Sequence, residues 1–297
     1  MSAGKRALVL GGGGATGNAW LIGVVAGLVD AGLDVTQADL IVGTSAGATA
    51  AAQITSARPT ELFAAILSTA RPQRTEPVGA DGARVPMAPR VNHLERTSRI
   101  IGAAENAADM RRRIGAAALE MAEASDSAAQ ARWRSTVAAR LPSQQWPERR
   151  MVITAVDAHS GEPVVFDRQS GVDLVDAVAA SCAGGFAYRI GDAQYFDGGY
   201  RADVNADLAT GYERVLVIPP LGEKTRKPLE WGLHLSAQAD ELRTHGSSVE
   251  IICPDSDSLG VLGAGMNLMD LSARAPSARA GYNQGNALAE RLGEFWR

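Results

Sequence analysis

Residues 39–53 read Asp-Leu-Ile-Val-Gly-Thr-Ser-Ala-Gly-Ala-Thr-Ala-Ala-Ala-Gln, and their reading decides the fold. The apolar run Leu40-Ile41-Val42 predicts a buried strand, Gly43-Thr44-Ser45-Ala46-Gly47 a sharp turn, and the small residues that follow a helix packed closely on a sheet. In a Gly-x-Ser-x-Gly turn the glycines let neighbouring backbone approach where a Cβ would collide, and the serine is lifted from the strand end on strained backbone. Ser45 is thus the candidate nucleophile, at the positive N-terminal end of a helix, with Gly43 and Gly47 supporting the turn. The motif is short and the chain holds 32 glycines, so an ordinary strand-to-helix glycine turn stays open on this stretch alone.

Working outward, Ala7-Leu8-Val9-Leu10 predicts another short buried strand, broken by Gly11 to Gly14, and Ala19 to Val29 has helical spacing. With the strand at 40–42 this is a βαβ unit, which argues for an α/β fold: a parallel-rich sheet sandwiched by helices, with ligands at the carboxyl ends of the strands. Residues 58–72 read as helix, and Pro72, Pro77, Pro86 and Pro89 with Gly79 and Gly82 as a loop. From about Asn92 to Leu141 one amphipathic helical stripe is expected, so the single domain 1–297 carries a helical, lid-like insertion at about 72–150. Met151 to Val156 and Val164 to Phe166 read as strands joined by a hairpin-like turn, Val172 to Cys182 as helix, and Arg214 to Ile218 and Val249 to Cys253 as further strands. Helical patterning returns over 262–296, around Leu262, Met266, Leu268, Met269 and Leu271.

Composition narrows the function classes. Hydrophobic content of 46% and charged content of 21% are ordinary for a globular chain, and a net charge of −4 offers no overall attraction to nucleic acid. Cys182 and Cys253 show no metal-type spacing, which predicts reduced thiols in a cytoplasmic protein. The N-terminal apolar stretch is too short for a signal peptide, and no run reaches the length of a transmembrane helix. Positions 90–150 hold 11 Arg and no Lys against 7 Asp plus Glu. Arg111, Arg112 and Arg113, with Met87, Leu94, Ile100, Ile101, Met110 and Met121, allow a lid in peripheral contact with a membrane; a solvated helix face over an ordinary core is the competing reading.

A serine nucleophile needs a base and donors for an oxyanion. His93, His159, His234 and His245 all lie outside glycine-rich turns, and surface or structural roles are expected for each. Asp197 follows an aromatic strand and precedes Gly198-Gly199, at a strand end where catalytic groups concentrate; a turn aspartate capping its own backbone is the plainer alternative. Gly12, Gly13 and Gly14 offer unencumbered amides just before a helix, suited to an oxyanion or a phosphate. Gly12-Gly13-Gly14-Ala15-Thr16-Gly17 also fits a dinucleotide fingerprint, with Asp34 or Asp39 near the distance for a ribose-binding acid, which leaves a dinucleotide-binding oxidoreductase as the alternative.

The glycine-rich loop, the Gly43–Gly47 elbow and the Asp197-Gly198-Gly199 turn, in that order, resemble the patatin-like phospholipases. Ala180-Ser181-Cys182-Ala183 and Val204-Asn205-Ala206-Asp207-Leu208-Ala209 extend the resemblance over most of the chain outside 72–150. It implies a lipid acyl hydrolase with a Ser45–Asp197 dyad, an oxyanion hole from Gly12, Gly13 and Gly14, a fatty-acyl ester or phospholipid substrate, and no cofactor or metal. A catalytically silent lipid-binding protein of the same fold is the further alternative. Two departures stand out: Thr16 where the family carries Arg or Lys, and Gly184-Gly185-Phe186-Ala187-Tyr188 where it carries prolines.

Overall fold

The computed structural model describes residues 4–68, 89–125, 128–263 and 268–297. Among them eight strands form one sheet: β1 (Arg6–Leu10), β2 (Leu40–Gly43), β3 (Met151–Asp157), β4 (Pro163–Phe166), β5 (Tyr188–Ile190), β6 (Ala193–Asp197), β7 (Arg214–Ile218) and β8 (Ser248–Ile251). The order is β5-β6-β3-β2-β1-β7-β8, with β4 paired to β3 off that path. Pairings β3-β2-β1-β7-β8 are parallel; those that bring in β4, β5 and β6 are antiparallel.

The central strands are apolar at successive positions because both faces are covered. Leu8, Leu10, Ile41 and Ile153 point into one core, beneath α1 (Gly14–Asp30), α2 (Ala46–Ile54), α7 (Leu174–Ser181) and α10 (Arg274–Trp296). Ala7, Val9, Val42, Val215 and Val217 point into the other, closed by α8 (Leu235–Thr244). A third cluster sets Ile101 of α4 (Pro89–Ala103) with Met110 and Ile114 of α5 (Ala107–Glu123) against Val156, Phe196 and Tyr200. The mostly parallel sheet with helices on both faces is the α/β arrangement expected from the sequence. No helix among the described residues is long and apolar enough to cross a membrane.

Two local expectations are corrected. The stripe from Asn92 to Leu141 is broken into α4, α5 and α6 (Ala129–Ala138), because Asn106 caps α5 by accepting the Asp109 amide at 2.9 Å and so starts a new helix. The helical pattern after Leu262 is interrupted: α9 (Ser256–Leu262) ends on Gly263 at φ 60°, and α10 begins only at Arg274, after a 3₁₀ turn at Leu271–Ala273. The short strand β5 had no counterpart in the sequence reading. The expected loop at 72–88 with its prolines, the last residues of the helix expected at 58–72, and Met87 and Met266 lie outside the described residues.

Helix α10 packs on α1, the helix that follows the glycine loop, with almost no side chain between the two backbones. A Cβ on Gly27 would sit 2.2 Å from the Tyr282 carbonyl oxygen, and one on Gly285 2.2 Å from that of Val24. Gly285→Ala is therefore expected to destabilise the protein by about 1–3 kcal/mol through overpacking against backbone that cannot yield. Gly102→Ala, in α4 with open space around it, should be neutral or mildly stabilising. Urea midpoints check this; equal midpoints for the two variants would refute the close-packing account.

Candidate active site

The site is built where β1 and β2 end. Ser45 has φ 53° and ψ −114°, one of two described non-glycine residues with positive φ, and it stands at the start of α2. Such a conformation costs on the order of 1–3 kcal/mol and survives only when its surroundings enforce it. They do so through close packing and hydrogen bonds. A Cβ on Gly47 would lie 2.0 Å from the Leu10 carbonyl oxygen, so glycine alone lets the start of α2 lie against β1. The Ser45 amide donates to Ser181 Oγ at 2.9 Å, and Cys182 Sγ donates to the Ser45 carbonyl at 3.1 Å. Burial pushes the Cys182 thiol up to about 12, so it packs beside Ser45 as a neutral donor.

Ser45 Oγ donates to Asp197 Oδ2 at 2.8 Å. Asp197 ends β6, and its Oδ1 accepts the Gly199 amide at 2.8 Å, so each carboxylate oxygen has its own donor. Desolvation raises the Asp197 pKa to about 6, against the lowering pull of the Gly199 amide, the Ser45 hydroxyl, Lys227 and Arg226. Gly198 leaves room beneath the turn: a Cβ there would stand 2.2 Å from Thr154 Oγ1.

Buried Asn205, left-handed at φ 59°, ties the two halves together. Its Nδ2 donates to Thr44 Oγ1 (2.9 Å), beside the serine, and to the Gly198 carbonyl (3.1 Å), beside the aspartate. Its Oδ1 accepts from Arg201 at 2.8 Å, and Arg201 is in turn paired with Asp207.

The glycine loop closes the third side. Gly12 faces the serine, with the position of a Cβ 3.6 Å from Ser45 Cβ. Gly13 precedes α1, and Gly14, at φ 63°, opens it under the Leu268 carbonyl. The Thr16 amide donates to that carbonyl at 3.1 Å, while the amides of Gly13 and Gly14 have no partner within the helix, as at any helix start. Gly17 already lies in the first turn of α1, donating its amide to the Gly13 carbonyl at 2.9 Å. Thr16 is fully buried, and its Oγ1 has no partner among the described residues. The dinucleotide alternative loses its acids. Asp39 accepts the Arg6 amide at the amino end of β1, the edge opposite the glycine loop, and Asp34 caps the 3₁₀ turn that leads into β2.

On the insertion side the glycines at 184 and 185 let α4 come close. His93 donates to the Gly184 carbonyl, and its ring lies 3.5 Å from where a Gly185 Cβ would be. Its pKa is lowered, first by burial and then by Arg226, partly offset by the Gly184 bond. A small cavity of ≈ 20 Å³ lies there, lined by residues that include His93, Arg96, Ile114, Met121, Gly185 and Phe196. Sequence reasoning gave His93 a surface or structural role; the structure puts its ring next to the site because α4 packs onto the 184–185 segment. Of the three arginines, Arg111 donates to the Gly161 carbonyl (2.8 Å) and Arg113 pairs with Asp109 (2.8 Å). Among the described residues no His, Cys, Asp or Glu group is arranged to hold a metal ion.

The model of the patatin-like phospholipase family matches residues 8–210, more than half of the chain, and the chain belongs to that family. Membership places it among lipid acyl hydrolases at the level of the family. No curated protein matches it. Among solved structures it is similar to VipD from Legionella pneumophila (12% identity, TM-score 0.41, 97% of this chain and 67% of that one). It is also similar to the type III effector protein ExoU (16% identity, TM-score 0.34, 95% of this chain and 53% of that one), so it spans about half of ExoU's length.

Asn205→Ala is expected to cost about 1–3 kcal/mol, since it strands buried polar partners on both sides of the site. An unchanged urea midpoint would show that the link does not hold the two turns together.

Proposed function

We propose that the protein is a serine acyl hydrolase that cleaves fatty-acyl esters of lipids, in the manner of a phospholipase A, lysophospholipase or esterase, through a Ser45–Asp197 dyad. The observation that carries this reading is the 2.8 Å hydrogen bond from Ser45 Oγ, raised on its strained elbow, to Asp197 Oδ2. Ser45 Oγ attacks the ester carbonyl as its proton passes to Asp197. The oxyanion that forms is met by the amides of Gly12, Gly13 and Gly14 at the start of α1. Collapse of this intermediate breaks the ester bond, and Asp197 returns its proton to the departing alcohol. Asp197 then takes a proton from water, whose oxygen attacks the acyl-enzyme; a second collapse frees the fatty acid and restores the Ser45 hydroxyl. Ser45, Asp197 and water account for every proton and bond, with no metal or cofactor assigned a step.

On this reading the helices between β2 and β3 are an insertion that walls the acyl side of one α/β domain. Contact with a lipid surface falls to exposed Leu94 and Met121 (53% and 45% exposed) with exposed Arg112 and Arg113, whereas Arg111 is tied to the Gly161 carbonyl. The reading assigns the protein to a reducing, cytoplasmic setting, in which Cys182 and Cys253 would stay as thiols.

The reading sets both a mutational and a pH test. Ser45→Ala and Asp197→Asn are each expected to lower hydrolysis of p-nitrophenyl esters and phospholipid vesicles by roughly 10³-fold or more, while His93→Ala, His159→Ala, His234→Ala and His245→Ala stay within about tenfold. Asp197 must be ionised to accept the proton and its pKa is raised to about 6, so kcat/KM should fall as pH drops through that value, about tenfold per unit below it. A histidine variant as inactive as Ser45→Ala, or an acid limb at the ordinary carboxylate value, would contradict the dyad.

A further inference from the structure

The loop that leaves β7 carries neither the serine nor the aspartate, yet it braces everything around them. At its start Pro220 packs on the glycine loop: a Cβ on Gly13 would come within 2.7 Å of Pro220 Cβ. Further on, Arg226 donates to Thr97 Oγ1 of α4 at 2.9 Å. Next to it Lys227 turns inward and is only 7% exposed. Its Nζ donates to the Gly199 carbonyl at 2.8 Å and to Asp203 Oδ1 at 2.5 Å.

A buried ammonium is costly, and a packed apolar side chain of similar volume commonly does as well or better for stability. The Lys227–Asp203 pair does not even satisfy itself, because Asp203 Oδ2 is buried with no partner among the described residues. What the ammonium reaches is the residue whose amide orients Asp197 Oδ1.

We propose that Lys227 is a positioning residue for acyl transfer: its buried ammonium, bonded to the Gly199 carbonyl and to Asp203, fixes the backbone whose amide aims the Asp197 carboxylate. The proposal rests on the Ser45–Asp197 reading. It adds a residue from outside the 8–210 segment that matches the family model.

Several groups face Asp197. Ser45 does so from the start of α2, Cys182 from the end of α7 as a neutral thiol, and Tyr200 from the same turn, its phenol pKa raised by burial. His93 approaches from α4 through Gly184 and Gly185. From the loop come Lys227 and Arg226, both of which lower the Asp197 pKa, Lys227 the more. Arg226 is exposed and screened by solvent, whereas Lys227 is not. Burial pushes the Lys227 pKa down and Asp203 pushes it back up, so Asp203 also moderates the charge that Asp197 meets.

This predicts opposite shifts from two nearly isosteric changes. Lys227→Gln with Asp203→Asn removes the cation together with its counter-charge, and the Asp197 titration should move up by about 0.5 unit or more. Asp203→Asn alone leaves the cation uncompensated, and the titration should move down. Two readouts follow it in the full chain: ¹³C NMR of the Asp197 carboxylate, and the acid limb of kcat/KM on a soluble p-nitrophenyl ester. In the double variant kcat should also fall roughly tenfold or more with KM changed by less than about threefold, as for an interaction expressed in the transition state. Unchanged titrations, or shifts in the same direction, would overturn the proposal. If the double variant does not fold, the direction of the Asp203→Asn shift decides alone; loss of the fold in Asp203→Asn itself would make the pair a structural brace and overturn the proposal too. A wild-type protein with no hydrolysis and no labelling of Ser45 would instead sink the dyad reading, while the NMR shifts still report whether Lys227 sets the charge at Asp197.

Discussion

The structure depends on one hydrogen bond that joins two strand ends distant in sequence, from Ser45 Oγ to Asp197 Oδ2 at 2.8 Å. Neither end is conformationally relaxed. Ser45 is held at positive φ, and Asp197 carries a carboxylate whose charge burial disfavours. Both costs are met by surroundings with little freedom: glycines where backbone crosses backbone, and Asn205, which bonds to the residue before the serine and to the residue after the aspartate. Strain and desolvation of this kind concentrate where a group must be ready to react rather than where a fold needs support.

The supports lie further along the chain than the chemistry. Pro220 packs on Gly13, the Leu268 carbonyl takes the Thr16 amide, and α10 presses α1 through facing glycines. These contacts come from residues after 210, beyond the segment that matches the family model, and they hold α1 and its start beside Ser45. The two departures from the family pattern acquire a physical setting here. Thr16 is sealed beneath Leu268, and Gly184-Gly185 give α4 and the His93 ring room to approach.

Much of this was legible in the sequence because it is local. Leu40-Ile41-Val42 before a glycine turn and small residues after it dictate strand, elbow and helix within fifteen positions, and Asp197-Gly198-Gly199 is a strand end by the same logic. What was not legible is non-local. Asn205 bears on the site only because the chain after β6 folds back to Thr44 and Thr154, and Lys227 only because the loop after β7 returns to Gly199 and Asp203; a lone buried lysine leaves no periodic signature in a sequence. His93, read as a surface or structural histidine because it lies outside a glycine-rich turn, comes beside Gly184 and Gly185 only through the packing of α4, which no local pattern announces. The dinucleotide alternative fitted the glycine spacing, although the second strand ends in Gly43-Thr44-Ser45 rather than in an acid. Asp39 has the right spacing but precedes the strand Leu40-Ile41-Val42, and the structure puts it at the amino edge of the sheet, bonded to the Arg6 amide.

The central claim is that Ser45 is the acyl-accepting nucleophile and Asp197 its base. Its most direct test is tandem mass spectrometry of the protein after reaction with a long-chain alkyl fluorophosphonate, in the wild type and in Asp197→Asn. The account requires a single adduct on Ser45 in the wild type, formed orders of magnitude more slowly in Asp197→Asn. An adduct on another residue, or equal labelling of Ser45 in the two proteins, would contradict it.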